Sequence, residues 1–247
     1  MIVERAEHPG WLSNAYLVAE GAGGSGVLID GNGVVEPLLE RIERDGIGIT
    51  HVLLTHHHGD HVVGVAELAR RFDAPLVAHP LTAAEVAGVD EALEDGATIR
   101  SGGLEVRALL TPGHADGHLS LLVAGTDCFT GDVLFRRTVG GTRSPGRTGY
   151  PELRRSIMET LMGLPHETRV HPGHTVPTTI GEEWQENPFV RLWRGLDQEG
   201  DEPCRVAGRE ARLVLWADDY DGTYKAWVRI DGRDEIVGGS QVEREGA

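Results

Sequence analysis

Four histidines and one aspartate fall within six residues, from His56 to His61, directly after a short apolar run in "LLTHHHGDH". The cluster lies inside a strand–turn–helix pattern: "ITHVLLTH" is β-branched and apolar, and "DHVVGVAELARRF" has helical spacing. The fold must therefore present these side chains at the end of a buried strand. In extended chain, residues i and i+2 point the same way, so His56 and His58 share one side and His57 faces away. Gly59 permits a sharp turn, after which Asp60 and His61 stand where the helix begins. One turn thus offers two pairs, His56 with His58 and Asp60 with His61. Neutral imidazoles with a carboxylate suit zinc, and also iron or manganese.

Two ligands do not complete a metal site, and the rest of the chain supplies more. "LLTPGHADGH" places His114 after a strand and a Pro-Gly turn; "CFTGDVLF" places Asp132 after a strand and Gly131; "RVHPGHT" places His174 after another strand and Pro-Gly turn. The same order recurs three times: apolar strand, glycine, ligand-type residue. Strand ends at one sheet edge are where loops converge on rigid supports.

Strands and helices interleave along the 247 residues, and the strands often come in pairs, as in "NAYLVAE" with "GVLIDGNG". That pattern predicts an α/β (α+β) sandwich with mixed sheets. Helices are expected at "VVEPLLERIERDG", ending at Gly46, at "DHVVGVAELARRFDAP", at "PELRRSIMETLMGLP", and once more at "TIGEEWQENPFVRLWRG". From Glu202 the character changes: "EARLVLWADDY", "TYKAWVRI" and "EIVGGSQVE" read as three short strands with Asp-Gly turns. Three such strands cannot bury a core alone. Residues 1–201 are therefore expected to form the main domain, with 202–247 a small β appendage packed on it or on a partner subunit, which makes a homodimer one arrangement.

Charge and composition exclude some classes. With 23 Lys+Arg against 39 Asp+Glu the formal net charge is −16, which repels a phosphate backbone and argues against nucleic acid as a partner. No apolar run approaches the ~20 residues of a membrane span, and no signal peptide is visible, so no membrane partner is expected. Two cysteines, Cys128 and Cys204, are too few for a disulfide scaffold and fit a reducing cytoplasm.

His-x-His-x-Asp-His followed by a distant His, an Asp and a His resembles the metallo-β-lactamase superfamily. "TPGHADGHLSL", "TGDVLF", "VHPGHT" and "TTIGEEWQENPF" are similar to its small glyoxalase II-like (hydroxyacylglutathione hydrolase-like) members. The resemblance runs from about Asn14 to Arg194. It implies an αββα sandwich with a dinuclear centre. In it His56, His58 and His114 would hold one metal, Asp60, His61 and His174 the second, and Asp132 would bridge them. A carboxylate has two oxygens and can give one to each cation. Zinc is the expected metal, with iron or manganese as alternatives. Asp60 and Asp132 are the candidate catalytic carboxylates, and Thr55 and His118 are candidates for bonding to the ligands.

Coordination lowers the pKa of water from about 15.7 to ~7, which provides a bridging hydroxide as nucleophile at neutral pH. No general acid is evident in these motifs, which favours a leaving group such as a thiolate (pKa ~8.5) over an amine. The expected activity is hydrolysis of an S-2-hydroxyacyl thioester or related ester. Alternatives are an iron-dependent persulfide dioxygenase, a lactonase or β-lactamase of the same superfamily, and a non-catalytic metal-binding module. The glutathione-binding helical C-terminal domain of longer glyoxalase II enzymes has no counterpart in this tail. The loop "RRTVGGTRSPGRTGYP" instead offers Arg136, Arg137, Arg143 and Arg147 to grip a substrate carboxylate, with Tyr150 as a further hydrogen-bonding group.

Overall fold

Strands without polar alternation lie inside. Asn14–Ala19 and Asp127–Gly131 are buried at every position, as expected of strands covered on both faces. In the computed structural model, which describes residues 1–244, they belong to two six-stranded sheets. The first runs in the order Ile2–Glu7, Asn14–Ala19, Ser25–Ile29, Gly48–Leu53, Leu76–Ala78, Glu91–Ala92. Its first three strands are antiparallel; from Ser25–Ile29 onward the pairing is parallel. The second runs Thr178–Thr179, Arg169–Pro172, Asp127–Gly131, Leu119–Val123, Leu104–Leu110, Thr98–Ser101, and only the Asp127–Arg169 pair is parallel.

Alternation along single strands builds the layers. Val27 and Ile29 enter the core between the sheets with Tyr16, Leu53, Leu119, Leu121 and Phe129. Leu28 points the other way, onto Leu38 and Ile42 of the helix Glu36–Asp45 and Leu68 of the helix Val65–Phe72. Cys128 and Val170 likewise face Leu153, Ile157, Phe189 and Val190 outside the second sheet. The order is helix, sheet, sheet, helix: an αββα sandwich. Burying a side chain such as Phe129 contributes roughly 1.5–3 kcal/mol.

Several elements differ from the sequence expectation. The edge strand Ile2–Glu7 was not foreseen, being only half-buried. The helix expected from Asp60 to Phe72 is two, Gly59–Val62 and Val65–Phe72, because Val63 is extended and Gly64 has φ 79°. The helix after Tyr150 passes into a π-helical turn at Ser156–Leu161. The last expected helix is also two, since Asn187 leaves helical geometry before Pro188 and caps Pro188–Trp193 through Phe189 N and Val190 N.

The tail forms five antiparallel strands rather than three, in the order Arg233–Gly238, Tyr224–Ile230, Arg209–Asp218, Glu202–Val206, Val242–Arg244. Glu202–Val206 escaped notice because three of its five residues are exposed, and "EIVGGSQVE" is split by the turn Gly239–Gln241. One face encloses Val206, Leu213, Ala226, Val228 and Val237. From the other, Val214, Trp227 and Ile236 join the core formed by the helices beneath. Among the described residues no helix is long and apolar enough to cross a membrane.

Candidate metal centre

The histidine-rich turn leaves the C-terminal end of Gly48–Leu53, the central strand of the first sheet, where its neighbours run parallel to it. Asp132 leaves the C-terminal end of Asp127–Gly131, and His174 follows Arg169–Pro172 beside it. Two glycines make the convergence possible. Gly131 has φ 44°, and a Cβ there would lie 2.5 Å from His118 Nε2. A Cβ on Gly173 would lie 2.2 Å from Asp132 Oδ1. The His174 turn is pinned from the first sheet: Asn14 Nδ2 and the Tyr16 hydroxyl donate to the Pro172 carbonyl at 2.9 and 2.7 Å.

Three overlapping sets of ligand-type atoms result, each with its atoms within 4.8 Å of one another: His56, His58 and His114; His56, His61 and Asp132; Asp60, His61 and His174. The Asp132 carboxylate lies between them. Its Oδ2 is 3.4 Å from His114 Nε2 and 3.3 Å from His174 Nε2, and its Oδ1 is 3.3 Å from His61 Nε2. Asp60 Oδ2 is 3.6 Å from His61 Nε2 and 3.5 Å from His174 Nε2. His57 enters none of these sets and packs against Gly146.

The outer nitrogens decide what the inner ones can do. His58 Nε2 meets the Pro145 carbonyl at 3.0 Å, and His114 Nδ1 meets the Gly141 carbonyl at 2.9 Å. A carbonyl only accepts, so both outer nitrogens carry the proton. The inner nitrogens, His58 Nδ1 and His114 Nε2, are 2.9 Å apart. In the neutral rings two lone pairs face each other, an arrangement that a shared cation relieves. His61 Nδ1 meets Asp30 Oδ2 at 3.1 Å, and His56 Nδ1 meets Thr55 Oγ1 at 3.0 Å. Their inner Nε2 atoms, and Asp132 Oδ1, are buried without a hydrogen-bond partner. Unpaired buried acceptors are costly, and this donor set of neutral imidazoles and carboxylates fits a pair of divalent cations.

Electrostatics favour the same state. Burial pushes the pKa of His56 well below the ordinary imidazole value, that of His58 down, and that of His114 to about 4. Burial opposes charge on His61 too, but Asp132 and Asp30 outweigh it and raise its pKa well above normal. Asp132, although burial works against its ionisation, is held well below the carboxylate range by His174 and His61. Without cations, the carboxylates thus draw a proton onto His61; cations would take its place.

Around this centre lies a layer of fixed acceptors and donors. Thr55 N and Oγ1 both donate to Asp30, at 2.8 and 2.7 Å. His118, fully buried, accepts from Asp132 N at 3.1 Å through Nε2 and meets Thr111 Oγ1 through Nδ1. Asp30 was not singled out in the sequence, although it ends the apolar run Val27–Ile29 much as the Asp132 motif ends its strand; its φ of 58° turns it toward the site. Tyr220 was also missed. It comes from the tail, and its ring lies 4.4 Å from that of His174, 19° from parallel.

The arginine loop divides. Arg143 lines a cavity of about 290 Å³ together with His114, and its Nε is paired with Glu235. Arg136 is exposed, and Arg137 pairs with Glu186 on the surface. Arg147 and Tyr150 instead border a separate groove of about 800 Å³ with Arg154, Arg155 and Arg233; none of the seven ligand-type residues lines it. Tyr150 corrects the sequence expectation most clearly. Its position at the start of an amphipathic helix buries it among Trp193 and Trp227, and its hydroxyl accepts from Trp193 Nε1 at 2.9 Å.

Known proteins resemble this chain in sequence and fold. The chain is 32% identical over 213 residues to a hydroxyacylglutathione hydrolase of Rhodopseudomonas palustris, covering 71% of this chain and 82% of that protein. Among solved structures, ETHE1 from Myxococcus xanthus superposes with a TM-score of 0.69 at 30% identity, over 80% of this chain and 92% of that one. TTHA1623, solved in a di-iron-bound form, gives 0.65 at 36% identity, over 76% of this chain and all of that one. The family model described as the metallo-beta-lactamase superfamily matches residues 8–174. That span begins just after the edge strand Ile2–Glu7 and ends on His174, taking in all seven converging side chains, and the chain belongs to the metallo-β-lactamase superfamily.

Proposed function

We propose that this protein is a metallo-hydrolase that cleaves a small thioester, of the S-2-hydroxyacyl class or a related ester. The observation that carries the reading is the pairing of His58 Nδ1 with His114 Nε2 at 2.9 Å, both outer nitrogens being tied to carbonyls. It supports a built cation site. By family likeness His56, His58 and His114 would hold one cation and Asp60, His61 and His174 the other, with Asp132 shared between them. Two divalent cations bound there would supply Lewis acidity toward a carbonyl oxygen and acidify water to a pKa near 7.

The chain's own residues do the rest. Burial keeps His56, His58 and His114 as neutral donors of lone pairs. The Asp132 carboxylate keeps the two halves together. The Asp60 side chain, 28% exposed against 9% for Asp132, is the more solvent-accessible carboxylate, which supports a role in orienting water. A thiol leaving group (pKa ~8.5) departs as thiolate without a dedicated acid, and none is needed from this chain. The likeness to a hydroxyacylglutathione hydrolase supports the thioester class.

Zinc is the proposed metal, and the di-iron form of TTHA1623 makes iron the alternative to test. The deciding experiment is a hydrolysis screen of thioesters, lactones and β-lactams on protein of measured metal content. Thioester turnover dependent on bound metal is expected. Oxygen consumption with a glutathione persulfide by an iron-loaded protein that spares thioesters would replace this reading with the dioxygenase one.

A further inference from the structure

We propose that the C-terminal sheet is the acyl-recognition wall of the metal centre, and that the Lys225 ammonium takes a carboxylate carried by the acyl group of the substrate. The proposal rests on the hydrolase reading and narrows its substrate to an acyl thioester ending in a carboxylate.

The sheet lies outside the stretch that matches the superfamily, residues 8–174, yet it reaches the centre. The cavity of about 290 Å³ has His114 and Arg143 on one side and Tyr220, Lys225, Ile236 and Gln241 of the sheet on the other. Tyr220 covers His174 and touches Phe135, their centroids 5.2 Å apart. Two ligand-type histidines are thus walled by residues of the tail. The cavity is smaller than the roughly 300–1,000 Å³ that hold drug-sized molecules. Its size suits a short acyl group.

Lys225 is the unusual member. It is the only lysine of a chain with 39 acidic residues, and it is 7% exposed. Lysine is almost never buried unless paired. Its partner is Asp219, at 2.9 Å with a side chain 5% exposed. An ammonium has three donors, and Asp219 engages one face of it while Lys225 lines the cavity. The Tyr220 ring, stacked on His174, lies 5.5 Å from Nζ. The positive charge is felt at His114, where it adds to burial in disfavouring protonation. Arg143, held by Glu235, is the second cation of the cavity. Desolvating a lysine is costly; a site that takes up an anion gains from a cation desolvated in advance.

The test uses the metal-loaded full chain and two thioesters of one thiol, N-acetylcysteamine, carrying succinyl or butanoyl groups of similar length. The ratio of kcat/KM, succinyl over butanoyl, is expected to exceed one. It should fall about tenfold or more, chiefly through KM, in the double variant Lys225→Gln, Asp219→Asn, a loss of the size expected for one hydrogen bond to a charged group. The double variant removes both charges, so no lone buried carboxylate unfolds the sheet, and Lys225→Arg should restore the ratio to within about threefold. Calorimetric titration with free succinate reads the same contact without turnover and should weaken in parallel. Hydrolysis of both thioesters with the ratio unmoved by the double variant overturns the proposal and leaves the hydrolase reading intact. Lys225-dependent succinate binding without hydrolysis of either thioester, or of an S-2-hydroxyacyl thioester run beside them, supports the wall and overturns the hydrolase reading. Succinate binding that is absent, or equal in wild type and variant, overturns the wall.

Discussion

Asp30 Oδ2 lies 3.1 Å from His61 Nδ1, with both side chains buried, and accepts the Thr55 hydroxyl through the same oxygen at 2.7 Å. The first sheet thereby fixes which nitrogen of His61 faces the centre. Replacement by asparagine turns one of the two acceptor oxygens into a donor among donors. Asp30→Asn is expected to lower metal affinity or activity by about 10- to 100-fold, as partners of metal-ligating histidines do. Metal titration followed by turnover measures it; unchanged affinity would separate Asp30 from the centre.

A methyl group on residue 173 has nowhere to go, since its ideal position lies 2.2 Å from Asp132 Oδ1 and 2.9 Å from the Gly131 carbonyl carbon. Gly173→Ala must displace the carboxylate. Expected are loss of at least one metal equivalent and most of the activity, with the αββα core retained by far-ultraviolet circular dichroism. Two tightly held equivalents in the variant would contradict the position of Asp132.

Neighbouring histidines should behave oppositely. His57 belongs to no ligand set, whereas His58 belongs to the set with His56 and His114. His57→Ala is expected to keep its metal content within about a tenth of wild type by elemental analysis, and His58→Ala to lose about one equivalent, as removal of one of three first ligands implies. Comparable losses in both would show that the extended geometry through the turn is wrong.

Acid should destabilise the metal-free protein. His56, His114 and His118 are buried with lowered pKa values, about 4 for His114. Below pH 6.5 the unfolded chain takes up protons that the native histidines refuse, so stability falls with pH until the native groups titrate in turn. Each such group costs up to ~1.4 kcal/mol per pH unit. His61 works the other way: its pKa is raised, so its contribution is fully present below pH 6.5 and is lost as pH rises. Three groups oppose one, and the urea midpoint of chelator-treated protein should drop between pH 6.5 and 4. A midpoint that stays level or climbs would count against buried neutral imidazoles.

The two arginines grouped by sequence should separate by kinetics. Arg143 borders the cavity with His114, and Arg147 borders the other groove. Arg143→Ala is expected to raise KM for anionic thioesters several-fold, on the order of 1 kcal/mol for a half-exposed charge contact. Arg147→Ala should leave KM alone. The reverse result would move substrate entry to the larger groove.

The seven ligand-type residues were legible because each stands after an apolar strand, with a glycine beside it or in the same turn, a local pattern that needs no long-range information. Thr55 and His118 were legible as neighbours of those motifs. Asp30 was not, since a single acid after "GVLI" reads as an ordinary strand end until its φ of 58° is known. Helix breaks at Gly64 and Asn187 were present in the residues but masked by the continuing apolar period. Tyr220 and Lys225 were out of reach for a stronger reason. They meet His174 and His114 across more than 45 residues of chain, through a sheet whose docking depends on Trp227 and Ile236 finding the helices. Tyr150 fails by the same logic in reverse: a loop-end tyrosine looks available until the sheet covers it.

The segment 140–149 is tied at both ends of its reach. Pro145 holds His58, Gly141 holds His114, and Thr142 is hydrogen-bonded to Ile236 of the tail through both its backbone and its hydroxyl. The appendage thereby braces the loop that holds two of the ligand-type histidines. Exchanging its strands would reshape the cavity beside His114 while leaving all seven converging side chains in place, whereas amputating it would slacken the loop on which His58 and His114 lean.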